Sequence, residues 1–269
     1  MDTNVYSKVG AQNNIAVHII LSFRQICLVT VCLPLGGLIV CFITAYIFQQ
    51  NDIHETHCRV YNIIPSISAI TGISPQRYLW RICVAFHIGP RLLIASVYYA
   101  YYTSLLGHTT SDEQMKNNRL IRICYWLNIV EIAALCGVTY ISNRENYPVH
   151  EKIFIVFMLC SLTYMLLTLQ VFKEVHRDMT VSQAKSYLVK KILFITSIIS
   201  TIGLLVFFAK HRLFCHKMAF SWFALCEYII AIANMAFHVT VILDFPKEQL
   251  MIANGIDVLK SNSKIWKLN

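Results

Sequence analysis

Ionisable side chains interrupt several long apolar stretches of this chain, and they are the residues that could do chemistry. His87 and Arg91 lie four residues apart in the run PQRYLWRICVAFHIGPR, which puts them on one face of a helix. Further along, Glu227, Asn234 and His238 fall within an arc of roughly 40° on another helix. Imidazole and carboxylate groups could transfer protons there, and arginine could bind an anion. Because such groups are costly in lipid, we expect them to face the bundle interior or a water-filled cavity.

Two contacts between these groups are predicted from their depth in the membrane. Arg91 and Glu131 both lie near the middle of their apolar segments, whereas His87 and Glu227 both lie closer to the same membrane surface. We therefore expect Arg91 to contact Glu131, and His87 to contact Glu227. A purely structural role is the alternative, because a buried Arg–Glu pair can fix helix register and Asn234 can serve as an interhelical hydrogen bonder.

The elements that must position these side chains are transmembrane helices. Of the 269 residues, 57% are hydrophobic and 14% are charged, which is typical of membrane proteins rather than of soluble domains. Six segments approach or exceed the length needed to cross a bilayer core of roughly 30 Å. They are residues 26–48, 79–107, 119–141, 152–172, 192–209 and 219–243. We predict an all-α, polytopic membrane protein with one bundle of about six helices over residues 26–245, preceded by segment 1–25 and followed by tail 246–269.

The distribution of charge predicts the orientation of the bundle. Fourteen basic residues fall on the side of the termini and seven on the opposite side, so both termini are expected to be cytosolic. Loop 49–78 then forms a cap on the luminal side. Lysines and arginines beside anionic headgroups explain the formal charge of +9, so we expect membrane lipids and no nucleic acid as partners. The chain has no internal repeat, which disfavours a transporter built from duplicated halves.

The positions of the cysteines predict one disulfide. Eight of the ten cysteines lie within or beside predicted spans, where cysteine usually behaves as a small hydrophobe. Cys58 and Cys215 do not, and both fall on the side that is oxidising if the protein follows the secretory pathway. We predict a Cys58–Cys215 bond that ties the cap to the start of the last helix.

Familiar catalytic signatures are absent from the sequence. It has no Gly-x-Ser-x-Gly elbow, no His-Glu-x-x-His, no phosphate loop, no Cys-x-x-Cys and no histidine followed five positions later by aspartate. We therefore predict no metal site. Asp244, at the end of the last span, is expected only to meet water or Lys247.

Three long runs of the sequence resemble the Frag, DRAM and Sfk family of membrane proteins. They are THCRVYNIIPSISAITGISPQRYLWR, HEKIFIVF and EYIIAIANMAFHVTVILDF. The similarity extends from the first span to Asp244, whereas the loop GHTTSDEQMKNN departs from the family pattern. The positions that match the pattern are Thr56, His57, Cys58, Pro65, Ser66, Pro75, Gln76, Arg77, Tyr78, Trp80, Arg81, His87, Pro90, Arg91, His150, Glu151, Cys215, Glu227, Asn234 and His238.

The resemblance implies a role in remodelling the lipid of glycosylphosphatidylinositol (GPI) anchors. In that process, after an unsaturated chain has been removed, a saturated chain is attached to the lyso-lipid. The implied partners are GPI-anchored proteins, the lyso-GPI lipid and a partner enzyme of GPI remodelling. The implied location is the Golgi membrane, with the endoplasmic reticulum as an alternative. No cofactor is expected, and the acyl donor would be a co-substrate such as acyl-CoA or a phospholipid.

The ionisable residues of the predicted spans are candidates for the catalytic groups of this reaction. Acyl transfer to a hydroxyl needs a base and a donor that stabilises the developing oxyanion. We interpret His87 or His238 as the base, Glu227 as the group that orients the imidazole, and Asn234 or Arg91 as the stabilising donor. Nothing in the sequence resembles an activated nucleophile, so direct transfer is expected rather than an acyl-enzyme.

Substrate binding is assigned to the cap and to the helix below it. We expect His57 and Arg77 in the cap, and Arg81 just below, to meet the phosphate of the anchor, which arginine suits through its fork of donors. Arg91 and Glu131 would line the same chamber deeper in the membrane. Two other interpretations stay open. A non-catalytic protein that presents the lyso-lipid to a separate acyltransferase would use the same basic cap, and an ion or solute carrier would need a continuous wet path.

Overall fold

The long apolar runs of the chain fold as helices, because within lipid every backbone polar group has to be satisfied inside its own segment. The computed structural model describes residues 16–106, 111–245 and 248–254. In chain order the elements are β1 (Ala16–Ser22), α1 (Phe23–Phe48), α2 (Gln50–Ile53), α3 (Ile67–Thr71), α4 (Gln76–Leu105), α5 (Ser111–Tyr140), α6 (Tyr147–Val175), α7 (Val181–Phe214), α8 (Ala219–Val239), α9 (Val241–Asp244) and β2 (Gln249–Asn254).

Six helices in the described part of the chain are long and apolar enough to cross a membrane. They are α1, α4, α5, α6, α7 and α8 with its continuation α9, so the predicted multi-pass helical fold is confirmed. Helix α7 differs most from its predicted span, 192–209. It begins at Val181, eleven residues earlier, because a capping box at Thr180 stabilises its first turn. Residues 1–15 and 255–269 of the predicted outer segments lie outside the described residues. The same holds for residue 107, where the second predicted span ends, and for Lys247.

Consecutive membrane helices pack against one another, as short connections require. Helix α1 contacts α4, the series continues through α5, α6 and α7 to α8, and α8 contacts α1, so the ring closes. The helices alternate in direction. The connections 49–75, 141–146 and 215–218 therefore meet at one end, here called the cap end.

The two short strands lie at the opposite end of the bundle, here called the strand end. β1 precedes α1 and β2 follows α9, and they pair antiparallel from Ala16 opposite Asn254 to Ser22 opposite Gln249. These strands were not predicted from the sequence. Their pairing brings both flanking segments of the membrane domain to the same end.

The cap ends at residue 75 instead of the predicted 78, because α4 already begins at Gln76, and it is fastened to the start of α8. The structure joins Cys58 to Cys215 in a disulfide with the Cα atoms 5.5 Å apart, which is the pairing predicted from the sequence. The Ser221 hydroxyl accepts hydrogen bonds from the backbone N–H groups of Ile63 and Ile64, at 2.8 and 3.3 Å. Helix α3 packs against α1, α4 and α8. The cap therefore inserts between the helices instead of covering them loosely.

The strand end holds a buried ion pair that corrects one expectation from the sequence. Asp244 does not simply meet water: its Oδ2 lies 2.6 Å from the Lys190 ammonium, and it accepts hydrogen bonds from the hydroxyls of Ser186 and Tyr98. Lys190 is 1% exposed and Asp244 is 4% exposed. A charge with so little access to water needs such partners, which is why Lys190 turns inward from α7.

Candidate functional site

A buried ion pair lies near the middle of the bundle. Arg91 of α4 places Nη2 2.9 Å from Oε1 of Glu131 on α5, and the two side chains are 4% and 0% exposed. This is one of the two contacts predicted from depth. The Asn234 amide on α8 donates to the same Glu131 oxygen at 2.7 Å and lies 2.6 Å from the Ser161 hydroxyl on α6. Four neighbouring helices thus contribute to one network, which meets the requirement that buried charges be paired and hydrogen-bonded.

The two histidines expected to act as bases both direct an acceptor nitrogen at this arginine. His238 Nε2 lies 2.5 Å from Arg91 Nη2 and 3.5 Å from Glu131 Oε1, so the arginine is its nearer partner. A guanidinium only donates, so His238 Nε2 accepts and its proton belongs on Nδ1. His87 Nδ1 donates to the Thr30 carbonyl at 2.6 Å, and its Nε2 faces Arg91 Nη1 at 3.4 Å. In this geometry His87 and His238 accept hydrogen bonds from Arg91 and fix the position of its guanidinium. Their role as catalytic bases stays a prediction.

The predicted contact between His87 and Glu227 is wrong. Both ring nitrogens of His87 face Thr30 and Arg91, as described above. Glu227 Oε2 instead accepts a hydrogen bond from the backbone N–H of Ile67 in the cap, at 2.8 Å. Depth alone could not show that α3 enters the bundle and offers a donor to this carboxylate.

A deep cavity of about 120 Å³ connects the cap to the ion-pair network. Its walls are mainly apolar and come from α1, α3, α4, α5, α6 and α8. The polar side chains that line it are Ser68, Thr71, His87, Arg91, Thr139, His150, Glu227 and Asn234. Three of the four predicted catalytic residues therefore border one space, whereas His238 lies behind Arg91.

A lateral cavity of about 280 Å³ lies between α6, α7 and α8 towards the cap end. It shares five lining residues with the deep cavity, so the two spaces meet at Ser68, His150, Phe154, Met158 and Glu227. Leu159 and Leu205 line it and are each 61% exposed on the outer surface of the bundle. Since that surface faces lipid, the lateral cavity is placed to admit an acyl chain from the bilayer.

A cap cavity of about 600 Å³ lies above the lateral cavity and shares part of its wall, including Ser66, Asn143 and Tyr147. It is lined by the basic side chains of His57, Arg59, Arg144, His211 and Arg212, together with Glu55. Arg144 lies 3.4 Å from Glu55. Three arginines and one carboxylate leave the cavity positively charged, which suits an anionic headgroup.

The other predicted phosphate-binding residues lie elsewhere. Arg77 and Arg81 approach the Glu145 carboxylate at 3.5 and 2.7 Å, and neither lines the cap cavity as the structure describes it. Hydrogen bonds from the Ser142 backbone and then from Arg81 lower the pKa of Glu145 to about 2. Of the predicted cap residues, only His57 lines this cavity. A binding role for Arg77 and Arg81 stays a prediction.

Several residues of the site were not predicted from the sequence. Ser161 completes the network around Asn234, and Arg59, Arg144 and Arg212 were counted only as charge. The available signal for Ser161 was a small polar residue within an apolar span, which is common in membrane helices and therefore not specific. Within the described ranges, no group of three or more His, Cys, Asp and Glu side chains could hold a metal ion.

Comparisons with known proteins match almost the entire chain. Residues 22–248 match the family model described as the Frag1/DRAM/Sfk1/Cwh43P N-terminal domain. The chain is 57% identical over 246 residues to a Drosophila melanogaster protein named post-GPI attachment to proteins factor 2-like, which covers 91% of this chain and 76% of the relative. It is 34% identical over 239 residues to a Xenopus tropicalis protein named acyltransferase PGAP2, covering 88% and 93%. No solved structure matches the chain.

Proposed function

The chain belongs to the Frag1/DRAM/Sfk1/Cwh43P family, and we propose that it remodels GPI anchors by attaching a saturated acyl chain to a lyso-GPI lipid. Relatives in fly and worm are named as post-GPI attachment to proteins factors, and the frog relative is named acyltransferase PGAP2. GPI-anchored proteins are then the partners of this protein. Its proposed location is the Golgi membrane, with the endoplasmic reticulum as the alternative.

The observation that carries this proposal is the junction of the cap cavity with the lateral cavity. A lyso-GPI lipid has an anionic phosphate next to its glycan and an acyl chain that stays in the bilayer. The arginines of the cap cavity, Arg59, Arg144 and Arg212, offer donors to the phosphate. The apolar lateral cavity below, of about 280 Å³, offers a space for the chain.

In this proposal the cap end faces the lumen and both termini face the cytosol. The pairing of β1 with β2 supports a common side for the two termini. The Cys58–Cys215 disulfide supports an oxidising compartment at the cap end. The excess of lysine and arginine on the side of the termini supports a cytosolic strand end.

The lateral opening supports a membrane phospholipid as the acyl donor. Its chain could enter between Leu159 and Leu205 without leaving the bilayer. Acyl-CoA on the cytosolic side would have to reach the cap end past the buried network of Arg91 and Glu131, which closes the deep cavity. In this scheme that network holds the helices in register and forms the floor of the chamber.

Reconstitution of the purified protein in liposomes tests this function. The liposomes would contain a lyso-GPI-anchored protein and a phospholipid with a labelled saturated chain, and the measurement is transfer of label to the anchor. Leu162→Trp should fill the lateral cavity and remove most of the transfer. Leu166→Trp, one turn further along the same helix on the exposed surface, is the matched control.

Each outcome of that experiment decides between two functions. Transfer that Leu162→Trp reduces and Leu166→Trp preserves supports the acyltransferase. Binding of the lyso-lipid without transfer would instead support the non-catalytic presenting protein. Neither binding nor transfer would overturn both.

A further inference from the structure

We propose that Ser68 and His150 form a nucleophile–base pair through which the acyl chain passes as a covalent ester of Ser68. This inference rests on the proposed function and assigns its catalytic centre. The Ser68 hydroxyl oxygen lies 3.0 Å from His150 Nε2. His150 Nδ1 lies 2.7 Å from the carbonyl oxygen of Ile141. The arrangement has the three parts of an activated serine: a nucleophile, a base and a group that orients the base.

The carbonyl of Ile141 determines where the protons lie. A carbonyl oxygen can only accept, so His150 Nδ1 carries the proton and donates it to Ile141. In the neutral imidazole, Nε2 then has a free lone pair directed at the hydroxyl of Ser68. This is the protonation pattern that a general base needs. It differs from that of His87 and His238, whose acceptor nitrogens face a guanidinium.

Both members of the pair are held in place by neighbouring hydrogen bonds. Ser68 lies on α3, where the N–H of Ile67 is bound by the buried carboxylate of Glu227. His150 lies in the first turn of α6, which Asn146 caps by accepting from the N–H of residue 149. Glu227 therefore acts as a positioning residue for the cap helix, and not on the imidazole as expected from the sequence.

The pair lies where the described cavities meet. Ser68 and His150 line both the deep and the lateral cavity, and His150 is 8% exposed. An acyl chain in the lateral cavity can bring its carbonyl carbon to Ser68, while an acceptor headgroup in the cap cavity lies across the shared wall. The surrounding walls are mainly apolar, so they limit the access of water that would hydrolyse an acyl-enzyme.

The proposed reaction has two balanced halves. In the first, the Ser68 oxygen attacks the ester carbonyl of a phospholipid donor, and His150 Nε2 takes the serine proton. The ester bond of the donor breaks, and His150 returns the proton to the departing alkoxide, which leaves as a lysophospholipid. In the second half, His150 takes the proton of the lyso-GPI hydroxyl, whose oxygen attacks the acyl-Ser68 carbonyl. The Ser68 ester bond breaks, and the serine regains its proton from His150.

An experiment with the donor alone tests the covalent step separately from the proposed function. The full-length protein in liposomes would be incubated with the labelled phospholipid and no lyso-GPI acceptor, then digested and mapped by mass spectrometry. We expect an acyl group on the peptide that contains Ser68. Ser68→Ala should lose both this adduct and transfer, and His150→Ala should slow acylation by at least about 100-fold.

Two controls keep the test decisive if a variant folds poorly. Ser197→Ala removes another buried serine, one that lines none of the described cavities, and it should keep wild-type transfer. A lipid-like fluorophosphonate needs no variant, because the serine oxygen displaces fluoride from phosphorus and leaves a stable adduct on the wild-type protein. We expect that adduct on Ser68.

The outcomes separate the two proposals. Acylated Ser68 without transfer to lyso-GPI would support the catalytic pair and overturn the proposed acceptor. Transfer at an undiminished rate by a folded Ser68→Ala protein would overturn the pair and leave the proposed function intact. Absence of both the acyl adduct and the fluorophosphonate adduct on wild-type Ser68 would also overturn the pair.

Discussion

The carboxylate of Glu131 lies 2.9 Å from the guanidinium of Arg91, and both side chains are buried. Glu131→Gln would leave the arginine without its counter-charge in the middle of the bundle. We expect this variant to lose about 3–5 kcal/mol of unfolding free energy, the usual cost of an unpaired buried charge. The measurement is the denaturation midpoint of the purified protein in detergent. Asp112→Asn, on the exposed start of α5, should change little.

Exchange of the two side chains, Arg91→Glu with Glu131→Arg, tests the same pair from the other side. It should restore part of the protein level that either single variant loses. The rescue should be incomplete because the Asn234 amide donates to the residue 131 carboxylate, and an arginine there cannot accept that bond. Levels no higher than those of the single variants would count against an energetic role for the pair.

Lys190 and its neighbour Lys191 offer a second comparison of buried with exposed charge. The Lys190 ammonium lies 2.6 Å from the Asp244 carboxylate, whereas Lys191 is exposed. Lys190→Met should destabilise the protein by about 3–5 kcal/mol, because it leaves the carboxylate buried and unpaired. Lys191→Met should have almost no effect on the same denaturation midpoint. If Lys190→Met lowered the denaturation midpoint no more than Lys191→Met does, the buried ion pair would contribute nothing measurable to stability.

The stability of the cap end should depend on pH through Glu145. The Ser142 backbone and Arg81 hold the pKa of this carboxyl at about 2, below its ordinary value of 4.5. Its stabilising contribution is therefore present above pH 4.5 and is lost as the pH falls towards 2. The difference in thermal midpoint between wild type and Glu145→Gln should shrink over that interval.

A neighbouring ion pair supplies the control for the pH experiment. Glu55 and Arg144 form an exposed contact at 3.4 Å, and exposed pairs contribute little. Glu55→Gln should therefore change the thermal midpoint only slightly across the whole range. A Glu145→Gln difference that is constant down to pH 2 would contradict the proposed titration.

The disulfide between Cys58 and Cys215 should be required for a stable cap. It closes a loop with a sequence separation of 157 residues, and loss of a native disulfide costs about 2–5 kcal/mol. Cys58→Ser should lower the thermal midpoint. Adding a reductant to the wild-type protein should lower its thermal midpoint by a similar amount. Cys32→Ser, at an exposed free cysteine of α1, is the matched substitution. If Cys58→Ser and Cys32→Ser behave alike, the cap does not depend on this bond.

The sequence was sufficient for the parts of this protein that depend on short-range patterns. Long apolar runs predict the spans, because a bilayer demands that length and composition of any helix that crosses it. The approximate depth of Arg91 and Glu131 then predicted their contact, since few partners are available to a charge in lipid. The Cys58–Cys215 pairing followed from the side of the membrane on which the two cysteines fall.

The tertiary structure alone decided which side chains meet around the helices. Periodicity gives the face and depth of a residue, but it does not say which neighbouring element that face will meet. Insertion of the cap directed Glu227 to Ile67 rather than to His87, and it brought Ser68 to His150 across 82 positions of sequence. Packing of α7 against α9 likewise turned Lys190 onto Asp244. Such contacts depend on the packing of elements distant in the chain, and no local pattern of residue types encodes that packing.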